Sequence, residues 1–257
     1  MNPVRILVPV KRVLDHAVKV RFESPEKYVD LKNMKMVMNP FCEIALEEAI
    51  RLKEKKLCSS VVAVSIGPKQ CIEQVRQALA LGVDKGIVIE TNLRIDKDLS
   101  SLSVAKILQQ IVLKENIDLV LMGKQSIDTD NSQTGSMLSG LLDWPHGSCI
   151  SKLTVKQDRS LEIVEEVDEG LRSINIQLPA VLTTDLRLNK PRYPTLPNIM
   201  KAKKKPIDIQ SIDNYASCIN SQIEYVTSEE PQMKRQNIMV ETVEEFAELL
   251  KTKMGKN

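Results

Sequence analysis

Short runs of unbroken apolar, β-branched residues punctuate the first half of the chain: Val4–Val10, Val61–Ser65, Gly86–Glu90 and Asp118–Met122. A run without alternation suits a strand buried on both faces, as in a parallel sheet covered by helices. Between these runs the apolar positions recur at helical spacing. Asn39–Leu57 carries Ala45, Ala49 and Leu52 on one stripe, with Asn39 at the N-cap position and Pro40 at the first helical position. Pro68–Leu81 and Ser103–Leu113 are two further amphipathic segments. Strand and helix alternating at this spacing predict βαβ units joined by right-handed crossovers.

Beyond residue 148 the texture changes. Ser151–Gln157, Leu161–Val167 and Leu171–Leu178 alternate apolar and polar residues with little helix between them. They predict antiparallel strands at a sheet edge, and Ala180–Thr184 predicts one more apolar strand. Leu186–Pro206 holds Pro191, Pro194, Pro197 and Pro206, a density that opposes both helix and central strand. The tail from residue 207 reads as polar until a terminal helix near Val243–Lys253. There Thr242 and Glu245 form a candidate capping box, and Val243, Phe246, Ala247 and Leu250 share a face. No internal repeat of solenoid period is evident. The expected class is α/β, a parallel Rossmann-like sheet with an antiparallel edge and an extended C-terminal arm. Residues 1–185 would form the domain, 186–206 a loop, and 207–257 the arm.

Composition narrows the function classes. At 42% hydrophobic and 27% charged, the chain reads as an ordinary globular protein rather than a disordered one. The formal net charge is only +2 and aromatics are 3%, which argues against a nucleic-acid binder built on a basic field or stacked bases. The five cysteines never reach CxxC spacing, and the histidines are only His16 and His146. A disulfide framework and a zinc site are therefore not expected, and a reducing compartment fits best. No apolar run approaches the roughly 20 residues that span a bilayer. The first apolar stretch reads as a strand rather than as part of a targeting segment.

Two familiar phosphate motifs are missing: no GxGxxG follows the first strand, and no GxxxxGK[ST] occurs. A Ser-Gly-Gly loop is missing from the same place. The informative segment is Gly123–Gly135, GKQSIDTDNSQTG, lying between a buried strand and a helix expected at Ser136–Leu142. It is rich in hydroxyl and amide groups and ends at a helix N-terminus, where backbone N–H groups and the helix dipole favour a phosphate. An ordinary capped βα loop is the plainer reading, but such loops usually run about 2–6 residues. The helix start at Asn39-Pro40 offers a second set of N–H donors at the same edge. His16 lies just past the first strand, where α/β folds place ligand contacts, or else is a solvated loop histidine. Leu186–Pro206 contains seven basic residues and no acid, with Leu196, Ile199 and Met200 among them. It reads as a solvated linker or as a docking element for an acidic partner.

Several stretches together resemble the β subunits of electron transfer flavoproteins. They are Val8–Val13, Met38–Ala45, Gly123-Lys-Gln with Gln133–Gly135, Leu142-Asp-Trp-Pro145, Asp185–Asn189, Arg192-Tyr193 and Thr195–Lys203. The resemblance implies an adenine-nucleotide α-hydrolase-like domain that holds a structural AMP. Its contacts would map onto Pro9, Asn39, Pro40, Phe41, Cys42, the backbone of Ile66, and the run Gly123, Lys124, Gln125, Ser126, Ile127, Asp128, Thr129, Asp130, Asn131, Ser132, Gln133 and Thr134. Thr129 replaces one acid of the family's usual run. The resemblance further implies an α subunit that carries most of an FAD, with His16 near the flavin where relatives often have tyrosine. Residues 186–206 become the partner-recognition loop, through Arg192, Tyr193, Leu196, Ile199, Met200, Lys201 and Lys204, and the C-terminal arm packs on the α subunit. Implied partners are acyl-CoA dehydrogenases and a membrane electron transfer flavoprotein–ubiquinone oxidoreductase, with no membrane insertion of this chain and no bond chemistry of its own. Asn39–Cys42 and the lysines beside Leu57 resemble eukaryotic members, which points to the mitochondrial matrix before a bacterial cytoplasm. The competing reading is an AMP- or ATP-binding regulatory or stress protein of the same fold. A nucleic-acid binder using Lys201–Lys205 is a weaker third.

Overall fold

The computed structural model describes residues 4–20, 22–23, 28–29, 31, 33–94, 98–156, 158–219 and 238–255. The chain opens with β1 (Val4–Pro9). It then leaves the body of the fold through β2 (Arg12–Leu14), β3 (Phe22–Glu23), β4 (Tyr28–Val29) and β5 (Met36–Met38). In this excursion β2 pairs antiparallel with β5, and β3 with β4. Next come α1 (Pro40–Glu54), β6 (Cys58–Gly67), a 3-10 turn over Lys69–Cys71, α2 (Ile72–Leu81) and β7 (Lys85–Glu90). Then follow α3 (Ser101–Lys114), β8 (Leu119–Gly123) and α4 (Thr134–Leu142). The later strands are β9 (His146–Val155), β10 (Ser160–Val167), β11 (Gly170–Gln177) and β12 (Ala180–Thr184). The chain continues with α5 (Leu196–Lys204), β13 (Ile207–Ser211), a 3-10 segment over Ile212–Cys218 and α6 (Val243–Met254).

Nine strands form one sheet in the order β11-β10-β9-β12-β8-β1-β6-β7-β13. From β13 across to β9 every neighbouring pair is parallel, and β10 and β11 are antiparallel additions. The parallel core and the antiparallel edge are both as expected. β1 sits between β6, where the chain goes next, and β8, where it returns. That reversal of strand order is the place where open α/β sheets form a crevice beyond the strand carboxyl ends.

Alternation along β1 divides the core. Ile6 and Val8 face a layer made with Ala45 and Leu46 of α1 and Val75 and Leu79 of α2. Leu7 faces the other way, onto Ile107, Leu108 and Ile111 of α3 and Leu138 of α4. Burying such aliphatic side chains contributes on the order of 1.5–3 kcal/mol each before chain entropy is charged against it.

Two expectations about the C-terminal third are corrected. The proline-rich stretch does contain a helix, α5, because Pro197 falls in its first turn, where the missing N–H has no intrahelical partner to lose. The segment after residue 206 is not yet an arm. Ile207–Ser211 extends the sheet as a parallel partner of β7, and Tyr215 and Cys218 are buried in the α3 layer. The polar tail at 220–237 lies outside the described residues. In α6, Thr242 Oγ1 accepts from the Glu245 amide at 3.2 Å. The Glu245 carboxylate accepts from Glu241 rather than from Thr242, so only half of the expected capping box forms. Among the described residues, no helix is long and apolar enough to cross a membrane.

Candidate functional site

A cleft opens at the switch point, beyond the carboxyl ends of β1, β6 and β8. Pro9, Val10 and Lys11 line it from β1, Ile66 from β6, and Met122 and Gly123 from β8. Asn39 and Cys42 contribute from the start of α1. Most of the βα loop before α4 follows: Lys124, Gln125, Ser126, Thr129, Asn131, Ser132, Gln133 and Thr134. Thirteen of the residues predicted for a nucleotide therefore meet in one place. Pro40, Phe41, Ile127, Asp128 and Asp130 do not line it.

The loop is tied inward. Asn39 is fully buried and is its main anchor. Its side-chain amide donates to the Gln125 carbonyl at 2.9 Å, and its Oδ1 accepts from the Ile127 amide at 3.2 Å. Lys11 Nζ donates to Ser126 Oγ at 3.1 Å and to Asp128 at 2.8 Å. Ser126 and Thr129 hydroxyls lie 3.2 Å apart, and Gln125 bonds both Asp130 and Ser132. Asp130 and Ser132 adopt positive φ angles of 48° and 51°, a conformation that these short polar side chains tolerate in turns. Behind the loop, Lys124 Nζ donates to Asp185 at 2.7 Å and sits 5.6 Å from the centre of the Phe41 ring. Burial pushes the Asp185 carboxyl up, but the bonds from Lys124 and the Arg187 amide outweigh it and hold the group below its ordinary range. Gly123 lets β8 and α1 touch. A Cβ there would lie 2.6 Å from Phe41 Cβ and 2.9 Å from its carbonyl carbon.

Donors at the cleft come from a different pair of helices than expected. At α1, Pro40 has no N–H, and the Cys42 and Glu43 amides already donate to the Asn39 carbonyl. Asn39 does not cap with its side chain, which is spent on the loop. At α4 the first intrahelical bond runs from Met137 to Gln133, so the amides of Thr134, Gly135 and Ser136 precede it. α3 supplies the second helix end. Leu99, Ser100, Ser101, Val104 and Leu108 all line the cleft, and Ser100 caps the helix by accepting from Ser103 at 3.1 Å. These residues were not singled out from the sequence. The signal was there: Ser100 stands three residues before Ser103, at the end of another strand-to-helix connection.

The cleft thus has two chemical halves. Val10, Ile66, Leu99, Val104, Leu108 and Met122 offer an apolar wall, and the loop offers hydroxyls, amides and helix N-termini. Such a surface can take a flat ring at one side and an anion at the other. Burial pushes the Cys42 thiol up and keeps it protonated, so it lines the cleft as a small apolar group. Among the described residues no cluster of histidine, cysteine and carboxylate could hold a metal ion.

The remaining predicted residues lie elsewhere. His16 follows β2 on the excursion; its side chain is 81% exposed, with Nδ1 3.5 Å from Asp15 Oδ1. Tyr193, Leu196, Ile199 and Met200 are exposed, as are Lys201 and Lys204. Ala202 faces the opposite way and is buried. Arg192 is different from its neighbours. Its guanidinium bonds Glu47 at 2.9 and 3.0 Å and Glu54 at 2.5 and 2.9 Å, pinning the segment to α1.

Comparison with known proteins gives a consistent result. A family profile described as the electron transfer flavoprotein domain matches residues 29–214. The chain is 48% identical over 251 residues to the electron transfer flavoprotein subunit beta of Homo sapiens, covering 98% of both chains. It is 48% identical over 248 residues to the mitochondrial subunit of the same name from Arabidopsis thaliana, covering 96% of this chain and 97% of that one. A bacterial relative of that name, from Bradyrhizobium diazoefficiens, is 45% identical over 251 residues, covering 98% and 99%.

Proposed function

From the premise that the chain belongs to the electron transfer flavoprotein family, as a β subunit, we propose that its cleft holds one AMP and that it completes, with an α subunit, the site of an FAD. The observation that carries the nucleotide is the cleft itself: an apolar wall for the base and a loop of neutral donors ending at two helix N-termini for the phosphate. The residues fit a single nucleotide rather than a dinucleotide, since the glycine fingerprint of a pyrophosphate site is missing from the sequence. Most of the flavin site is accordingly assigned to the α subunit, with His16 reaching it from the excursion.

Bound FAD supplies reversible one-electron transfer. This chain's residues position and shield; they move no proton and break no bond. Electrons would arrive from acyl-CoA and related dehydrogenases of fatty-acid and amino-acid oxidation. They would leave to electron transfer flavoprotein–ubiquinone oxidoreductase at the membrane. The exposed face of α5 is the proposed contact for the dehydrogenases, with Leu196 as its anchor. The exposed face of α6, with Val243, Phe246, Leu250 and Met254, is the proposed contact for the α subunit. The mitochondrial matrix is the proposed location, and the mitochondrial relative supports it.

Denaturing the purified αβ complex and chromatographing the supernatant tests both cofactors. We expect one AMP and one FAD per complex, and a colourless β chain when it is expressed alone. A ligand held only by the native state adds about 2.7 kcal/mol of stability at one hundred times its Kd, so nucleotide removal should also lower the melting temperature. A well-folded complex that releases no adenine mononucleotide contradicts the reading of the cleft.

A further inference from the structure

Resting on the nucleotide reading of the cleft, we propose that Asp128 sets the number of phosphate groups the site accepts: by neutralising Lys11 it restricts the cleft to a ligand with a single phosphate. Lysines that bind the outer phosphates of nucleoside triphosphates do so as free point charges at the end of a loop. Among the described residues the cleft has two lysines on its surface, Lys11 and Lys124, and neither is free. Lys11 Nζ lies 2.8 Å from both Asp128 carboxylate oxygens and also donates to Ser126 Oγ. Lys124 Nζ turns away to Asp185.

The charge around the polar half follows from this. Lys11 is paired with Asp128 and Lys124 with Asp185, so the two lysines that line the cleft add no positive excess. The Lys11 and Asp128 side chains are 23% and 21% exposed, although the Asp128 backbone lies open to solvent, so water screens the pair only in part. A single phosphate can be met by the neutral amides at the start of α4 and by the loop hydroxyls, which need no net charge. Each further phosphate adds negative charge near the Lys11–Asp128 pair and, among the described residues that line the cleft, meets no unpaired lysine. Asp128 also holds the loop's shape, through Lys11, so selectivity and architecture share their atoms.

The test is titration of the nucleotide-free αβ complex with AMP, ADP and ATP in the presence of a magnesium chelator. The wild type should bind AMP at least ten-fold more tightly than ATP, about 1.4 kcal/mol. Raising the salt from about 0.1 M to 1 M, which shortens the Debye length from roughly 10 to 3 Å, should narrow that gap, because repulsion is being screened. Asp128→Asn frees Lys11 and should narrow the gap by a further ten-fold or more. Equal binding of AMP and ATP by the wild type overturns the proposal. So does an unchanged ratio in Asp128→Asn complex that still binds AMP. Should that variant fail to assemble, the wild-type salt series decides: a gap indifferent to salt rejects an electrostatic origin. A complex that binds no nucleotide of any kind removes the underlying reading of the cleft instead, and this proposal with it.

Discussion

The loop at 123–134 and the segment at 186–206 look alike on paper. Both are long, both lack an obvious secondary-structure pattern, and both carry residues with a resemblance to functional ones. Their polar groups go in opposite directions. In the first, Asn39, Lys11 and Gln125 draw the loop onto the body of the protein. In the second, α5 buries Ala202 and turns Leu196, Ile199 and Met200 outward. A loop that spends its hydrogen bonds on itself is preorganised, and a ligand entering it meets donors that need no ordering. A helix that leaves three apolar side chains in water at i, i+3 and i+4 has kept its contact energy for something else.

The sharpest way to break this comparison is to loosen the rigid region at its tightest point. Gly123→Ala places a methyl 2.6 Å from Phe41 Cβ and 2.9 Å from backbone. Backbone cannot swing aside as a side chain can. Overpacking of this kind costs about 1–3 kcal/mol, and the upper end is expected here. Chemical denaturation should show that loss, and the purified complex should retain less nucleotide, because β8 and α1 together carry the loop. A stability change below about 0.5 kcal/mol, typical of unconstrained surface sites, would mean that the contact between β8 and α1 is soft.

The sequence made the sheet legible because buried parallel strands are unbroken apolar runs, and β1, β6, β7 and β8 are all of that kind. Gly123–Gly135 was legible because a thirteen-residue stretch rich in polar groups between a strand and a helix exceeds what a connection needs. The wall from α3 was not, since Leu99, Val104 and Leu108 look like any helix face until topology brings them to the switch point. β13 was hidden for a related reason. Its residues, Ile207–Ser211, alternate weakly and follow Pro206, and only pairing with β7 makes them a strand. α5 is hidden by its proline-dense surroundings, although Pro197 falls in the first turn, where proline is tolerated. Asn39 is legible as a helix start but not as a loop anchor, because a cap and an anchor use the same side-chain atoms.

Arg192 lets the comparison be tested from the other side, as the residue of the outward segment that is fastened inward. Removing it leaves Glu47, 3% exposed, with Arg51 as its remaining partner. Leaving a buried carboxylate under-bonded costs several kcal/mol when the loss is complete. Arg51 remains and Arg192 is itself 39% exposed, so about 2 kcal/mol is expected for Arg192→Ala. The effect should depend on pH. Burial pushes the Glu47 carboxyl up, but the bonds from Arg192 and Arg51 outweigh it and leave the group below its ordinary value. A carboxyl lowered in the folded state stabilises above its unfolded pKa of about 4.3 and loses that contribution as pH falls through the folded value. The gap between wild type and Arg192→Ala in urea melts should therefore be full at neutral pH and shrink below about pH 4. A gap that persists in acid would assign the loss to packing of the arginine stem.

Leu196→Ala should have the smallest effect on the fold and a selective one on transfer. Leu196 is 73% exposed, and α5 is held by contacts that do not involve it. Arg76 donates to the carbonyls of Ala202 and Lys205 at 2.7 and 2.5 Å, and Lys205 Nζ reaches back to the Val83 carbonyl at 3.0 Å. Stability should stay within about 0.5 kcal/mol of wild type. If a dehydrogenase buries this side chain, truncation removes part of the roughly 1.5–3 kcal/mol that a buried leucine contributes, and transfer should fall about ten-fold, or 1.4 kcal/mol. The lysines of the same helix act differently. Lys201, Lys203 and Lys204 are exposed, and their share lies in the encounter rate, which fades as salt shortens the Debye length. Stopped-flow reduction of the complex by an acyl-CoA dehydrogenase, repeated across salt concentrations, separates the two. The leucine defect should persist at every salt concentration while the contribution of the lysines disappears. Wild-type transfer by Leu196→Ala across that whole range would return the exposed face of α5 to the status of solvated surface, and the two regions would then differ only in rigidity.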